Sequence, residues 1–377
     1  MDERQARAAE AVKAVGADWG VLASVDGVAY ASGHVAPVEA GPSPFAGGPT
    51  LAIIGADGIV GIACANVEAA AARASRTEAA EIYEGYTFDH GVDYHQEWRD
   101  AVGRLAKRLG VGGRLAVERG FLPKAVDGLL AVDEALDLTP HLRRARATKT
   151  ADELAILARC AEAVAIGQRV FLETVRPGRS ELAVFADVRC AMEEFAGCRA
   201  PITGDFLSGA KRTAGFTGWP VDRTIEPGDP VMADLAPRID GYWGDSCGTT
   251  CVGKPSAAFE RLFRTSKAAL EHAVGFVRAG RTAAEVDAEM RAFVGREGFA
   301  YPHHTGHSIG TAVHEWPRLV PYERAVLEPD MVLLVEPGCY DPEVGGVRSE
   351  YMLRVTRDGA EVMHRFEHRL ATEAAAC

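Results

Sequence analysis

Residues 230–251 read PVMADLAPRIDGYWGDSCGTTC, with two alternating segments on either side of Asp240-Gly241. Asp240-Gly241 is typical of a two-residue hairpin turn between alternating segments. If these residues form the turn, Asp234 faces Cys247, and Asp234 and Asp245 lie diagonally on one sheet face, roughly 7–8 Å apart. Two buried carboxylates repel each other unless they share a proton or bind a cation. The hairpin alone leaves two interpretations open: a metal site, or one buried ion-paired aspartate beside an exposed one.

A weak internal repeat surrounds this hairpin. The segment VRPGRSELAVFADVRCAMEEF begins at Val175, and VRAGRTAAEVDAEMRAFV begins at Val277, an offset of 102 residues. The same offset carries IEP onto LEP, and Asp234 in PVMADLA onto Glu336 in MVLLVEPG. Matches at three places with one offset predict two similar halves, each a helix pair followed by strands. A carboxylate then falls at the same point of an apolar strand in both halves.

The second half also concentrates histidines. The segment YPHHTGHSIGTAVHEWP contains four of the eleven histidines, namely His303, His304, His307 and His314. Glu336 follows four apolar residues, where an unpaired carboxylate is expensive to bury. For Glu350, in GGVRSEYMLRVT, the simplest explanation is an ion pair with Arg348. Taken together, four carboxylates and one imidazole form an oxygen-rich ligand set, which suits two divalent ions better than a structural zinc.

Composition limits the classes of partner and compartment. A net charge of −12 disfavours general attraction to nucleic acid or to an anionic membrane surface. The charged start MDERQARAAE is not a signal peptide, and no apolar run approaches the ~18–20 residues of a membrane span. The eight cysteines are scattered without CxxC pairs, which predicts reduced thiols in a cytoplasmic protein.

The chain is long enough for two domains, which we place at residues 1–142 and 143–377. Thr150 and Glu153 form a predicted capping box that begins the first helix of the second domain. The first domain is predicted to mix helices and strands with one loop lacking periodicity. The predicted helices are Arg4–Val15 and Glu97–Leu109, the strands Trp19–Ser24, Leu51–Ile54 and Arg114–Glu118, and the loop Gly33–Pro49.

At this point a family resemblance becomes specific. Two aspartates eleven residues apart, GHSIG with a second histidine seven residues on, VEPG and GVRSE resemble the pita-bread metallohydrolases. This superfamily includes methionine aminopeptidase, prolidase, aminopeptidase P and creatinase. The preceding domain and the phrase IEPGD resemble its Xaa-Pro peptidase and creatinase branch. The resemblance implies an α+β protein: a C-terminal pita-bread fold with a pseudo-twofold repeat, after a smaller creatinase-type α/β domain.

The resemblance also implies roles for individual residues. Asp245 and Glu350 would bridge two metal ions, Asp234 would chelate one of them, and His307 and Glu336 would bind the other. Manganese is expected first, with cobalt, iron(II) and zinc as alternatives. The reaction expected of such a site is attack of metal-activated water on an amide.

Further residues would then act on the substrate. Glu336 would serve as the general base, and His314 would donate a hydrogen bond to the substrate carbonyl. His303 would line the pocket or support it structurally. Trp219 and Arg348 are further candidates for contacting the substrate.

Some positions depart from the family pattern. Aminopeptidase P-like members carry a histidine shortly after the SG turn, where this chain has Phe216 and Thr217. The Thr-Arg-Thr of the family is Cys247-Gly248-Thr249 here, which is expected to remove a guanidinium near the site. Cys247 is expected to be a buried thiol rather than a nucleophile. The departures predict a hydrolase of a small amide, amidine-like or dipeptide substrate, and they argue against specificity for Xaa-Pro bonds.

Other functions on the same frame remain open. Relatives include creatinase and ectoine hydrolase, which act on small molecules, and a metal-dependent lyase. Non-catalytic binding modules of this fold lose metal ligands, whereas this chain keeps five. The resemblance further implies a homodimer in which the Tyr30–His34 segment, as a strand-end loop, places His34 in the partner's substrate site; an exposed loop histidine is the simpler alternative.

Overall fold

The computed structural model describes residues 2–36, 46–126, 128–130 and 135–372. The chain divides into two compact units, Met1–Arg146 and Ala147–Cys377. The boundary that we placed after residue 142 falls inside a helix, Thr139–Ala147. Most of the predicted loop Gly33–Pro49 lies outside the described residues.

The N-terminal unit is a mixed sheet with helices on both faces. In the described residues the strand order is β4-β3-β2-β1-β5-β6. The helices are α1 Glu3–Ala14, α2 Val25–Ser32, α3 Ala69–Ala74, α4 Tyr94–Leu109 and α5 Thr139–Ala147, with 3₁₀ turns at Asn66–Glu68 and Lys124–Val126. The strands are β1 Trp19–Leu22, β2 Leu51–Gly55, β3 Val60–Ala65, β4 Ala79–Tyr83, β5 Leu115–Val117 and β6 Leu136–Asp137.

Both faces of this sheet are buried, which explains its continuous apolar strands. Ile53 and Ile54 are neighbours on β2, yet they belong to different cores because successive side chains point to opposite faces. Ile54 packs in the core that includes Val12 of α1, and Ile53 in the core that includes Trp98 of α4. The unit is therefore a three-layer α/β/α domain, as the family resemblance implied.

One prediction in this unit is wrong. The segment Tyr30–His34 is not a strand-end loop, since Tyr30 belongs to helix α2. Ser24 caps this helix by accepting a hydrogen bond from the amide of Gly27, and Gly33 ends it in the left-handed conformation at φ 72°. Strand β1 accordingly stops at Leu22, two residues before the predicted end.

The C-terminal unit combines several small antiparallel sheets with long helices. Its helices are α6 Ala151–Thr174, α7 Glu181–Ala196, α8 Ala210–Ala214, α9 Ala257–Phe276 and α10 Ala283–Arg296. Its first strands are β7 Ile202–Thr203, β8 Phe206–Ser208, β9 Pro230–Asp234, β10 Ala236–Ile239, β11 Tyr242–Trp243 and β12 Cys247–Val252. The later strands are β13 Gly306–Ser308, β14 Glu315–Leu319, β15 Val332–Val335, β16 Gly338–Asp341, β17 Gly345–Arg348, β18 Tyr351–Val355, β19 Ala360–Val362 and β20 Ala371–Thr372.

The internal repeat is present at the level of single hydrogen bonds. Helix α7 follows the N-cap Ser180 and α10 follows the N-cap Thr282, an offset of 102 residues. These caps form isolated bridges to Thr224 and Val326, which are separated by the same offset. Helices α6 and α7 pack with β9 and β12, while α9 and α10 pack with β15 and β18. The predicted pita-bread duplication is therefore confirmed.

Candidate metal centre

The hairpin of the first half has the predicted register. Asp234 pairs with Cys247 across strands β9 and β12. Asp240 and Gly241 form the turn between β10 and β11, with φ angles of 51° and 86°. Both residues take the left-handed conformation, as a type I′ turn requires. The turn therefore sets the register that puts Asp234 and Asp245 on one face.

The second half presents its ligand candidates from equivalent places. Glu336 directly follows β15, as Asp234 ends β9. The amide of Glu336 donates to the carbonyl of Thr305, and the amide of Asp234 donates to the carbonyl of Asp205, both at 2.8 Å. Glu350 crosses between the halves, because its amide donates to the carbonyl of Cys247 at 3.0 Å. Two similar backbone frames thus converge on one cluster of side chains.

The cluster has the donor chemistry of a metal site. Ligand atoms of Asp245, His307 and Glu350 all lie within 4.8 Å of one another, and the three residues are buried. The Nε2 atom of His307 lies 3.7 Å from Asp245 Oδ2 and 3.8 Å from Glu336 Oε1. Among the described residues, Asp245 Oδ1 and Glu350 Oε2 are buried without a hydrogen-bond partner. Such orphaned carboxylate oxygens are expected where a cation binds.

The orientation of His307 also fits a metal ligand. Its Nδ1 contacts the carbonyl of Ser308 at 2.9 Å, and a carbonyl can only accept a hydrogen bond. The proton therefore lies on Nδ1, which leaves the Nε2 lone pair facing the carboxylates. Burial lowers the pKa of His307 to about 3, so the ring is neutral at physiological pH. The residues present thus fit the divalent ions that the sequence predicted.

Charge crowding appears in the pKa values of the carboxylates. Burial raises the pKa of Asp234 to about 6, while Arg348 opposes the shift. Burial and the charge of Asp234 raise the pKa of Asp245 well above its usual range. Burial and the charge of Asp245 do the same for Glu350. Without a cation, Asp245 and Glu350 therefore favour their protonated forms.

Glu336 behaves in the opposite way. Burial acts to raise its pKa, but a hydrogen bond from His304 and the nearby positive charges outweigh burial and lower it to about 2. The His304 Nε2 atom lies 2.8 Å from Glu336 Oε1. Glu336 is therefore the carboxylate of the cluster that is held ionised by its protein partners.

Arg348 does not form the ion pair with Glu350 that the sequence suggested. Its guanidinium contacts Asp234 and lies 2.9 Å from Asp205 Oδ2, and it donates to the carbonyl of Phe216 at 3.2 Å. Strand β17 ends at Arg348 and β18 begins only at Tyr351, so the alternation that would align positions 348 and 350 is interrupted. Arg348 instead links Asp234 to the backbone of Phe216, which lines the cavity.

His303 and His314, which lie beside the proposed ligands, differ in how accessible their rings are. Both ring nitrogens of His303 are engaged at 2.8 Å, with the carbonyl of His304 and the hydroxyl of Tyr340. Burial lowers the pKa of His303 to about 4. His314 is exposed, with its ring 4.2 Å from the ring of His307. Of these residues, His314 is therefore the more accessible to a substrate.

A cavity of about 300 Å³ opens onto the cluster. Trp219 lies at its rim with 78% of its surface exposed. Thr217 lines it and donates to Asp205 Oδ1 at 3.1 Å, and Phe216 packs against His303 with ring centres 5.8 Å apart. The cavity also contains the five predicted ligands and the remaining predicted site residues of this unit: Asp234, Asp245, His307, Glu336, Glu350, His303, His314 and Arg348.

Two expectations about substrate contacts are corrected. His34 is fully buried, and its Nε2 contacts Glu68 Oε2 at 2.7 Å, so its side chain is not available to a substrate. A Cβ at Gly248 would lie 2.6 Å from Gln168 Oε1, on the face opposite to Cys247. An arginine at position 248 would therefore point toward α6, and its absence does not alter the cavity. Cys247 is fully buried, as predicted.

Sequence reasoning missed three residues of the cavity region. Asp205 was not selected, although it directly precedes the apolar strand β8. His304 was counted among the clustered histidines without a role, and Tyr340 was not considered. The internal repeat relates Asp205 to Thr305. The carbonyl of Asp205 accepts from the amide of Asp234, just as the carbonyl of Thr305 accepts from the amide of Glu336.

Fold and site together define a metal-dependent hydrolase with a pita-bread catalytic unit. The model of metallopeptidase family M24 matches residues 155–357, and the chain belongs to this family. It is therefore a metallopeptidase that hydrolyses amide bonds.

Two relatives and one solved structure illustrate the match. The chain is 31% identical to the Xaa-Pro dipeptidase of Pyrococcus furiosus over 63% of this chain and 69% of that protein. It is 30% identical to the uncharacterised peptidase YqhT of Bacillus subtilis over 75% of this chain and 81% of that protein. The solved structure of the Xaa-Pro dipeptidase from Bacillus anthracis matches with a TM-score of 0.80 and 25% identity, covering 98% of this chain and 99% of that one.

Proposed function

We propose that this chain hydrolyses dipeptides or similarly small amides at a dinuclear site formed by Asp234, Asp245, His307, Glu336 and Glu350. The observation that carries the proposal is the buried cluster in which Asp245 and Glu350 each keep one carboxylate oxygen without a partner among the described residues. Burying several carboxylates is unfavourable unless cations compensate them. Two divalent ions would supply that charge.

The donor set favours hard or borderline cations. Four carboxylates and one imidazole suit manganese first, with cobalt, iron(II) and zinc as alternatives. Bound there, the ions would lower the pKa of a water molecule and polarise the scissile carbonyl. By our assignment, Asp245 and Glu350 would hold both ions, Asp234 would hold one of them, and His307 with Glu336 would hold the other.

The side chains around the cluster divide the remaining work. Glu336 is assigned as general base, since it lines the cavity and is ionised over the physiological pH range. His314 is exposed beside His307 and is assigned as the donor to the substrate carbonyl. His303 has both ring nitrogens occupied, so we assign it to the wall of the cavity rather than to proton transfer.

A small substrate without a proline requirement is the second part of the proposal. A cavity of about 300 Å³ lies at the lower end of the range for small-molecule sites. Phe216 and Thr217 occupy the place where aminopeptidase P-like proteins have a histidine, and Thr217 is tied to Asp205. Trp219 at the rim offers an aromatic surface to the substrate side chain. Xaa-Pro and Xaa-Ala dipeptides should then be cleaved at comparable rates.

Assembly and compartment belong to the proposal as well. We expect a homodimer in the cytoplasm, acting on a small substrate and on neither nucleic acid nor membranes. None of the helices in the described part of the chain has the length and apolar character needed to cross a bilayer. Light scattering after gel filtration would test the dimer.

Metal content tests the central assignment. Wild type and Asp245→Ala, both purified without chelator, are compared by elemental analysis, with the exposed Asp222→Ala as the matched control. We expect close to two transition-metal ions per chain in wild type and in the control, and loss of metal in Asp245→Ala. A wild type that takes up no manganese, cobalt, iron(II) or zinc from excess would defeat the proposal. Parallel assays with Ala-Pro and Ala-Ala test the proline requirement.

A further inference from the structure

His304 is a side chain of the cavity that the proposed chemistry leaves without a role. Its ring lines the cavity, and its Nε2 atom lies 2.8 Å from Glu336 Oε1. On its other side, Nη2 and Nε of Arg318 lie 2.7 Å and 3.2 Å from His304 Nδ1. The imidazole is therefore held between a guanidinium and the carboxylate that we assign as general base.

The guanidinium decides which nitrogen carries the proton. Arginine remains protonated and offers only donors, so His304 Nδ1 must accept from Arg318. In the neutral ring the proton then lies on Nε2, which donates to Glu336. The direction of both hydrogen bonds thus follows from the chemistry of Arg318.

The same argument excludes a competing interpretation. His304, His307 and His314 lie close enough for one nitrogen of each to bind a common metal ion. Metal binding by His304 through Nε2 would require a lone pair at that atom, and Arg318 places a proton there. His307 differs, because its Nδ1 faces a carbonyl and its Nε2 is free for a metal.

The first half of the repeat has nothing equivalent. Gly204 precedes Asp205 as His304 precedes Thr305, and a Cβ at Gly204 would collide with the carbonyl oxygen of Asp234. A side chain is thus excluded at position 204 in the first half and present at position 304 in the second. His304 is therefore an addition to one half of the repeat rather than part of its shared frame.

We propose that His304 is a positioning residue: Arg318 fixes its tautomer, and its Nε2–H holds Glu336 Oε1, the oxygen that lies 3.8 Å from Nε2 of the ligand His307. The inference rests on the proposed function, in which Glu336 is both ligand and base. Hydrogen bonds to ligating carboxylates typically change metal affinity or activity by about 10–100-fold. Loss of this donor should therefore affect kcat and metal affinity more than KM.

The test compares His304→Ala, His304→Gln and Arg318→Met, with the exposed His364→Ala as control. Glutamine places an amide N–H close to the position of the imidazole Nε2–H, so it can restore the donor. Manganese affinity is measured by competition with a chelator, and kcat and KM are measured with one dipeptide. The visible spectrum of the cobalt-loaded protein reports the ligand geometry independently of turnover.

We expect His304→Ala to keep two metal ions, with kcat and manganese affinity each about 10-fold or more lower. His304→Gln should recover most of both, and Arg318→Met should lower the affinity in wild type but hardly further in His304→Ala. Equal behaviour of the Ala and Gln variants, additive effects of the two positions, or loss of one metal ion in His304→Ala would overturn the inference. Metal retained by Asp245→Ala would instead overturn the proposed site.

Discussion

Asp234 ends strand β9 in the first half of the C-terminal unit, and Glu336 follows β15 at the equivalent place in the second half. Their backbone amides are bound alike, yet their side chains have different nearest partners. Asp234 contacts the fixed charge of Arg348 directly, whereas Glu336 accepts from the ring of His304 at 2.8 Å and lies 3.9 Å from Arg348 Nε. A duplicated backbone thus brings two carboxylates together, and the residues around them give each a different role.

The largest expected effect is on kcat, and it should distinguish Glu336, which we assign as both ligand and general base, from Asp234, which we assign as a ligand only. At saturating manganese, Glu336→Gln should lower kcat at least about 100-fold more than Asp234→Asn, because both lose ligand charge but only Glu336 also accepts a proton. Steady-state assays of both variants, with the exposed Glu328→Gln as control, measure the difference. Equal losses in the two variants would mean that the halves contribute alike.

The partner of Asp234 should matter for folding itself. Arg348→Ala leaves Asp205 and Asp234 without their shared cation in a buried site, which should lower the free energy of unfolding by about 3–5 kcal/mol. Arg354→Ala removes a more exposed ion pair with Asp330 and should change it by at most about 1 kcal/mol. Urea unfolding with excess chelator makes the comparison. Similar values for both variants would contradict a buried, structurally required Arg348.

The two carboxylates should also differ in the sign of their pH dependence. The pKa of Asp234 is raised to about 6 in the folded, metal-free protein. Its ionisation therefore lowers the free energy of unfolding as the pH rises from the pKa of Asp234 in the unfolded chain toward 6. The pKa of Glu336 is lowered to about 2 in the folded protein. Its ionisation therefore stabilises the fold when the pH is above the pKa of Glu336 in the unfolded chain, and this stabilisation is lost as the pH falls toward 2.

At pH 7, therefore, Asp234→Asn should stabilise the metal-free protein and Glu336→Gln should destabilise it. Each pKa unit corresponds to about 1.4 kcal/mol, so changes on the order of 1–3 kcal/mol are expected. Urea unfolding at pH 4 and pH 7 in chelator measures them, and the gain for Asp234→Asn should shrink at pH 4. Changes of the same sign at pH 7 would refute the contrast.

The smallest effect concerns the turn that exists in the first half. Gly241 has φ 86°, where an L-residue is strained, so Gly241→Ala should lower the free energy of unfolding by about 1 kcal/mol. Thermal unfolding measures the loss, with Gly295→Ala as control, because that helical glycine has open space and negative φ. Metal content should stay the same in both variants. A larger loss with reduced metal content would show that the turn controls the ligands directly.

The fold and the ligand cluster could be predicted because a turn dipeptide and an internal repeat are visible in the sequence. Asp240-Gly241 predicts the strand register that β10, β11, β9 and β12 adopt, and the offset of 102 residues relates Asp234 to Glu336. The five residues that the resemblance carried over do line one cavity. Periodicity and turn chemistry are local properties, so one sequence is enough to reveal them.

The unpredicted features depend on contacts between distant segments. Asp205 meets Arg348 across 143 residues, and His304 meets Arg318 through the packing of β13 on β14. His34 was predicted to be accessible, but helix α2 and Glu68 enclose it. The position of a residue in the sequence does not show where its side chain points in the fold, and that orientation determines which residue it contacts.

The distribution of ligands along the chain also determines when the metal can bind. Glu350 lies close to the end of the catalytic unit, and its amide binds the carbonyl of Cys247 in the other half. During synthesis on the ribosome, the first half therefore emerges while the site still lacks His307, Glu336 and Glu350. The complete set of five ligands therefore exists only after the second half has been synthesised and has packed against the first.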